Sequence, residues 1–207
     1  MELKIKVCGM RNPENIWALA KLPIQYMGFI FVEQSPRNAM LLAPETMQLV
    51  PPGIRRVGVF MNTPFATIME HVTRFGLHAV QLHGAEPPSL CQQLRAERLE
   101  VIKAFAAPAD AGFSVTEPYM PYCDYLLFDT PSAQAGGTGR QFDWAILEQY
   151  CGSLPFFLSG GISPLDANRI KQFRHTRFAG IDLNSRFEVA PGEKNLGMVA
   201  AFVREMM

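Results

Sequence analysis

Two residues in this 207-residue chain stand where chemistry can be done: Cys8, straight after the run Lys4-Ile5-Lys6-Val7, and Asp129, straight after Tyr125-Leu126-Leu127-Phe128. A thiolate takes up a proton and a carboxylic acid gives one, so the two, facing each other across a small molecule, form a general base and a general acid. The chemistry needs the thiol brought down from about 8.5 towards neutrality and the carboxyl raised by burial or by a nearby negative charge. Arg37 and the helix N-termini are the groups in the sequence suited to acidifying the thiol. Taken singly, each residue also has a plain structural reading. A cysteine after an apolar strand packs as a small hydrophobe, and an aspartate ending a strand caps a turn.

A second chemistry is written in the glycines. The segments Ser159-Gly160-Gly161-Ile162-Ser163 and Asp182-Leu183-Asn184-Ser185 each follow an apolar run, and Gly136-Gly137-Thr138-Gly139 follows Asp129 by seven residues. Glycine lets backbone N–H groups approach an anion closely, and a helix starting just beyond adds favourable partial charge, so these loops point to phosphate. Arg37 and His83 complete the set of polar residues that close an apolar run or open the loop after it. Lys103 has the type of a catalytic lysine, but the plainer reading has its stem fill the interior of the fold while its amine pairs with a carboxylate. His71, His78 and His175 read as structural.

The elements that must position these residues are short β-branched and aromatic runs alternating with helical patterns. Strands are expected over 4–7, 26–31, 56–60, 79–82, 100–104, 125–128, 155–158 and 178–183. Asn12-Pro13, Thr63-Pro64 and Ser163-Pro164 each set a capping side chain before a proline suited to the first helical turn. Phe65, Ile68, Met69, Val72 and Phe75 share one helical face, and Leu165, Ile170 and Phe173 do so more loosely. Strands recurring at roughly 25-residue intervals leave room for one crossover helix each, which favours parallel strands, and eight such units close into a (β/α)8 barrel. The stretch from Ala107 to Pro121 carries three prolines and predicts a short or irregular helix. The alternative, an open doubly wound sheet, wants a glycine fingerprint after the first strand, where the chain instead reads Cys8-Gly9-Met10-Arg11-Asn12. In a parallel barrel the site is built at the C-terminal ends of the strands, which is where Cys8, Arg37, His83, Asp129 and the last two glycine and asparagine loops fall.

Composition narrows the partner. Nineteen basic residues balance nineteen acidic ones, and 48% of the chain is hydrophobic. That is core enough for one domain spanning 1–207, with no charge bias towards nucleic acid or an anionic membrane. No export signal or membrane-length apolar run is read, so the expected address is the cytoplasm. The four cysteines are widely spaced, show no metal-ligand pattern and read as reduced thiols. Neither metal nor cofactor is expected, and the partner is a small phosphorylated molecule.

With these residues in view, the chain resembles the phosphoribosylanthranilate isomerase family of tryptophan biosynthesis. The resemblance rests on Lys6-Val7-Cys8-Gly9-Met10, Met27-Gly28-Phe29-Ile30-Phe31 with Ser35-Pro36-Arg37, Arg56-Val57-Gly58-Val59-Phe60 and Val80-Gln81-Leu82-His83-Gly84. It continues through Leu127-Phe128-Asp129-Thr130 with the glycine loop, Phe157-Leu158-Ser159-Gly160-Gly161 and Gly180-Ile181-Asp182-Leu183-Asn184-Ser185. It implies Cys8 as base, Asp129 as acid and Arg37 as the carboxylate-binding arginine. It also implies His83 and Asp182 at the substrate, and Gly139, Gly160, Gly161, Asn184 and Ser185 at its phosphate. The implied reaction is an Amadori rearrangement of N-(5-phosphoribosyl)anthranilate without metal or cofactor, by a monomer or homodimer. Glu33-Gln34 and Asn38-Ala39, on either side of Ser35-Pro36-Arg37, depart from the family's usual residues. The related histidine-pathway isomerase implies a second phosphate loop and an aspartate at position 8. A non-catalytic phosphate-binding barrel does not need both Cys8 and Asp129.

Overall fold

The computed structural model describes residues 3–108, 112–131 and 141–207. Eight parallel strands close into a barrel in sequence order: β1 (Lys4–Val7), β2 (Tyr26–Ile30), β3 (Arg55–Phe60), β4 (Ala79–Leu82), β5 (Glu100–Ala106), β6 (Tyr125–Asp129), β7 (Phe156–Leu158) and β8 (Phe178–Leu183), with β1 pairing β8. These are the eight strands expected from the sequence, with ends moved by at most two residues. Strand alternation divides their side chains into two layers. Tyr26, Val57, Ala79, Ile102, Ala104, Leu127 and Phe157 fill the barrel interior, while Val7, Phe29, Val80, Val101, Phe128 and Leu158 pack outward against the helices.

The connections are less regular than the strands. Full α-helices follow β1 (α1, Pro13–Leu19), β3 (α2, Phe65–Phe75), β4 (α3, Pro88–Ala96) and β7 (α4, Ala167–Gln172), and α5 (Leu196–Met206) closes the chain. After β2, β5 and β6 only 3₁₀ turns form, at Pro44–Leu49, Phe113–Tyr119 and Trp144–Gln149. The expectation of a regular crossover α-helix therefore fails after β2 and β6. The irregular fifth connection is as expected: Pro118 inside its turn supplies no amide hydrogen to propagate a helix.

Two cap expectations hold and one does not. Asn12 Oδ1 accepts from Glu14 N and Asn15 N at the start of α1, and Ser163 forms a capping box with Asp166. Thr63 caps nothing. Pro64 is the residue before α2, and Thr63 Oγ1 donates back to the Met61 carbonyl. Leu165 is also corrected: it is 93% exposed, because the turn Pro164–Asp166 is 3₁₀ and its tighter winding rotates Leu165 to solvent, while Ile162 is buried beneath. After β8 the chain makes a turn (Ser185–Phe187) and a two-stranded hairpin, β9 (Glu188–Ala190) with β10 (Glu193–Lys194), before α5. That hairpin has no counterpart among the elements expected from the sequence.

Candidate active site

The residues at the barrel mouth are held by ladder hydrogen bonds that continue past the strand ends. Cys8 N donates to Leu183 O, His83 N to Phe60 O and Ser159 N to Phe128 O, at 2.8–2.9 Å. Asp129 ends β6, and its own carbonyl accepts from Ala107 N. Each reactive side chain thus leaves a backbone already fixed on both sides, which is the rigidity proton transfer needs.

The floor beneath Cys8 is charged. Lys6 and Asp182 are register partners on β1 and β8, so both point into the barrel, and Lys6 Nζ lies 2.9 Å from Asp182 Oδ1. Lys6 has no exposed surface and Asp182 very little. Ser159 Oγ donates to the other Asp182 oxygen at 3.5 Å. Burial disfavours charge on both members. It raises the Asp182 carboxyl even though Lys6 pulls it down, whereas on Lys6 the nearby Asp182 and Cys8 outweigh burial and the ammonium is held more firmly. For Cys8, burial is the largest influence and pushes the thiol up; Lys6 and, more weakly, Lys194 oppose it, and Asp182 adds to it. The cations near the thiol are therefore lysines on β1 and β10, and the expectation that Arg37 acidifies it is not met. Asp182 lies inside β8, paired to Lys6, and the loop begins at Asn184.

Opposite, Asp129 is more open. Its Oδ2 stands 3.4 Å from His83 Nε2, and Thr130 N donates to its Oδ1. Gln81, almost wholly buried in the barrel, places its amide nitrogen 3.0 Å from His83 Nδ1. This contact holds the His83 ring with Nε2 facing the carboxylate. Gly160 sits beside this pair with φ +84°, and a Cβ there would lie 2.5 Å from Thr130 N and 2.8 Å from Asp129 Oδ1. Glycine is what lets the β7 loop pass against the acid. Gly161 follows, also at positive φ.

The third part of the mouth is the rim. Arg37 is buried, and its guanidinium lies on Glu188 of the hairpin, with Nε 3.0 Å from each oxygen and Nη2 2.7 Å from Oε2. Lys194 Nζ bonds Glu188 Oε1 at 2.7 Å and Asn184 Oδ1 at 2.8 Å. Burial raises the Glu188 carboxyl, but its bonds to Arg37 and Lys194 outweigh this and hold it below the ordinary range. Asn184 and Ser185 open the turn after β8, and Asn184 also lies against Gly9. Gly139, with Gly136-Gly137-Thr138, lies outside the described residues.

Lys103 faces the other way from the expected one. Its neighbours Ile102 and Ala104 line the barrel, so Lys103 points outward beneath the β4 loop, paired with Glu86 at 3.1 Å. Lys6, Gln81, Glu188 and Lys194 were missed as site residues. For Lys6 a signal existed: in Lys4-Ile5-Lys6-Val7 the period of two puts both lysines on one face, and with apolar Ile5 and Val7 turned to the helices that face is the barrel interior. Glu188 and Lys194 were missed because their hairpin was not legible as a structural element. His71, His78 and His175 are structural as read: each packs on aromatic rings or bonds backbone or arginine.

Fold and mouth together define a parallel (β/α)8-barrel enzyme with acid–base groups converging at the C-terminal ends of its strands. The family model described as N-(5'phosphoribosyl)anthranilate (PRA) isomerase matches residues 5–205. The N-(5'-phosphoribosyl)anthranilate isomerase of Parabacteroides distasonis is 44% identical, over 98% of this chain and 93% of its own length. The crystal structure of phosphoribosyl anthranilate isomerase from Thermotoga maritima aligns with TM-score 0.84 at 30% identity, covering 99% of this chain and 98% of its own. Another solved phosphoribosyl anthranilate isomerase, in complex with reduced 1-(o-carboxyphenylamino)-1-deoxyribulose 5-phosphate, aligns with TM-score 0.80 at 28% identity over 99% and 98%. The chain belongs to the N-(5'-phosphoribosyl)anthranilate isomerase family and is an isomerase of tryptophan biosynthesis. Among the described residues no helix is long and apolar enough to cross a membrane.

Proposed function

We propose that Cys8 and Asp129 are the base and acid of an Amadori rearrangement that converts N-(5'-phosphoribosyl)anthranilate to 1-(2-carboxyphenylamino)-1-deoxyribulose 5-phosphate. Asp129 protonates the furanose ring oxygen, and the anilinic nitrogen's lone pair drives ring opening to a protonated Schiff base. Cys8, as thiolate, then removes the C2′ proton, whose electron pair flows into the iminium to give an enolamine. Tautomerisation yields the aminoketose. The iminium is the electron sink, so the reaction calls for no cofactor.

The observation that supports this reading most is that both groups stand at the same end of the barrel, Cys8 directly after β1 and Asp129 as the last residue of β6. Base and acid therefore open on one mouth. Arg37 takes the anthranilate carboxylate through Nη1, the guanidinium nitrogen directed away from Glu188, so Glu188 serves as the fixed end of a clamp. His83 and Asp182 face the sugar. Gly160 and Gly161, with Asn184, Ser185 and Gly139, receive the phosphate through backbone and side-chain donors. The chain works as one domain over 1–207, in the cytoplasm, as a monomer or homodimer.

The test is loss of phosphoribosylanthranilate fluorescence on adding purified protein. Turnover that vanishes in both Cys8→Ser and Asp129→Asn supports the assignment. Turnover near the parent's in either folded variant removes that residue from its role.

A further inference from the structure

A thiol buried in a barrel is a poor base, since burial penalises the thiolate, and proposing Cys8 as base leaves open what makes it ionise. The answer lies one strand residue pair below it. Gly28 on β2 is the key to the geometry: a Cβ built on it would stand 2.8 Å from Cys8 Sγ and 3.2 Å from Lys6 Nζ. Thiol and ammonium therefore crowd into one spot, the place a side chain at position 28 would take. Lys6 is fully buried, and among the described residues its one carboxylate partner is Asp182, at 2.9 Å. Among the described residues no backbone carbonyl accepts from its ammonium. An ammonium has three hydrogens, so beyond Asp182 it retains donors for a second acceptor, and the sulfur is the acceptor beside it.

We infer that Lys6 is a positioning residue for the base: pinned by Asp182 and given room by Gly28, its ammonium holds the Cys8 thiolate in place. This rests on Cys8 being the base. The proton balance is simple. The thiol proton leaves to solvent, Lys6 stays an ammonium throughout, and the thiolate becomes a thiol again when it takes the C2′ proton. The charged groups facing the sulfur are Lys6 from β1, Asp182 from β8 and Lys194 from β10; β2 contributes only Gly28. Asp182 opposes the thiolate, so its place is to fix the lysine, and Lys194 is already bonded to Glu188 and Asn184. Lys6 is the cation free to act.

The experiment is the pH dependence of iodoacetamide alkylation of Cys8 in the full chain without substrate, read by the mass of the Cys8 peptide, beside the pH profile of kcat/KM. In Lys6→Met the alkylation midpoint should rise by about one to three pH units, the range for losing an adjacent opposite charge. The acidic limb of kcat/KM should move with it, and kcat should fall at neutral pH while KM stays close to the parent's. Gly28→Ala is the second variant, because it leaves both charges in place but wedges thiol and ammonium apart; its midpoint should also rise. A folded Lys6→Met protein whose midpoint matches the parent's overturns the inference. If Lys6→Met does not fold, an unmoved midpoint in folded Gly28→Ala overturns it. Alkylation needs no turnover, so these results remain separate from the base assignment itself, which fails only if Cys8→Ser stays active.

Discussion

Two of the buried lysine–carboxylate pairs have nearly the same length, Lys6–Asp182 at 2.9 Å and Lys103–Glu86 at 3.1 Å, and they are built for different work. Lys103 sits between barrel and helices and is saturated. Besides Glu86, its ammonium reaches the carbonyls of Leu82, Gly84 and Ala104, while Glu86 also accepts from Asn62 N and Gly84 N. Every charge there is matched by hydrogen bonds, as a structural clasp for the β4 loop requires. Lys6 sits inside the barrel with one carboxylate and a thiol. Incomplete satisfaction, kept at the floor of the mouth, is what separates a group held for chemistry from one held for stability.

The largest effect should come from the residues served by the inner pair. Cys8→Ser and Asp129→Asn should each lower kcat by about 10²–10⁴-fold, the range for a lost general base or acid, with folding intact by circular dichroism. Activity surviving in both would erase the functional side of the comparison. Next, Lys103→Met leaves Glu86 buried and unpaired, and should lose about 3–5 kcal/mol of stability in urea unfolding. Its kcat/KM at 25 °C should match the parent's; a selective loss of kcat in a stably folded variant would make the outer pair functional too.

Arg37→Ala should come third. The expected loss is about 1.5–3 kcal/mol of charged hydrogen bonding to the substrate carboxylate, seen in steady-state kinetics as a raised KM with kcat nearly kept. An unchanged KM would mean that Arg37 serves Glu188 alone. The smallest effect is on acid stability. Glu188 has a folded pKa held below its unfolded value of about 4.3, so it contributes stability that is complete above that pH and is lost as pH falls through the folded value. Tm measured between pH 3 and 6 should therefore drop less steeply in Glu188→Gln than in the parent. Parallel curves would show that the rim triad carries no charge-dependent stability.

Much of this was open to reading in the chain. Short apolar runs rich in β-branched and aromatic residues mark all eight strands, because a barrel strand buried on both faces leaves little freedom in residue type. Once the strands are placed, Cys8, His83, Asp129, Gly160 and Gly161 fall at their C-terminal ends by counting alone. The family resemblance rests on the same residues. The connections were read less well: Thr63 and Leu165 were misplaced because capping and helical periodicity are weak local preferences that a 3₁₀ turn or a proline overrides.

What the sequence by itself determined is the barrel and the chemical types at its mouth, since these follow from local pattern and strand order. What only the tertiary structure decided is which charges meet. Lys6 and Asp182 are 176 residues apart and become partners only when β8 closes on β1. Lys103 turns outward because its strand's register sends Ile102 and Ala104 inward. Glu188 finds Arg37 across 151 residues of chain through a hairpin with no strong pattern of its own. Electrostatic interactions act through space and fall off with distance, so the environment of the thiol is set by barrel closure and register, which no local stretch of sequence contains.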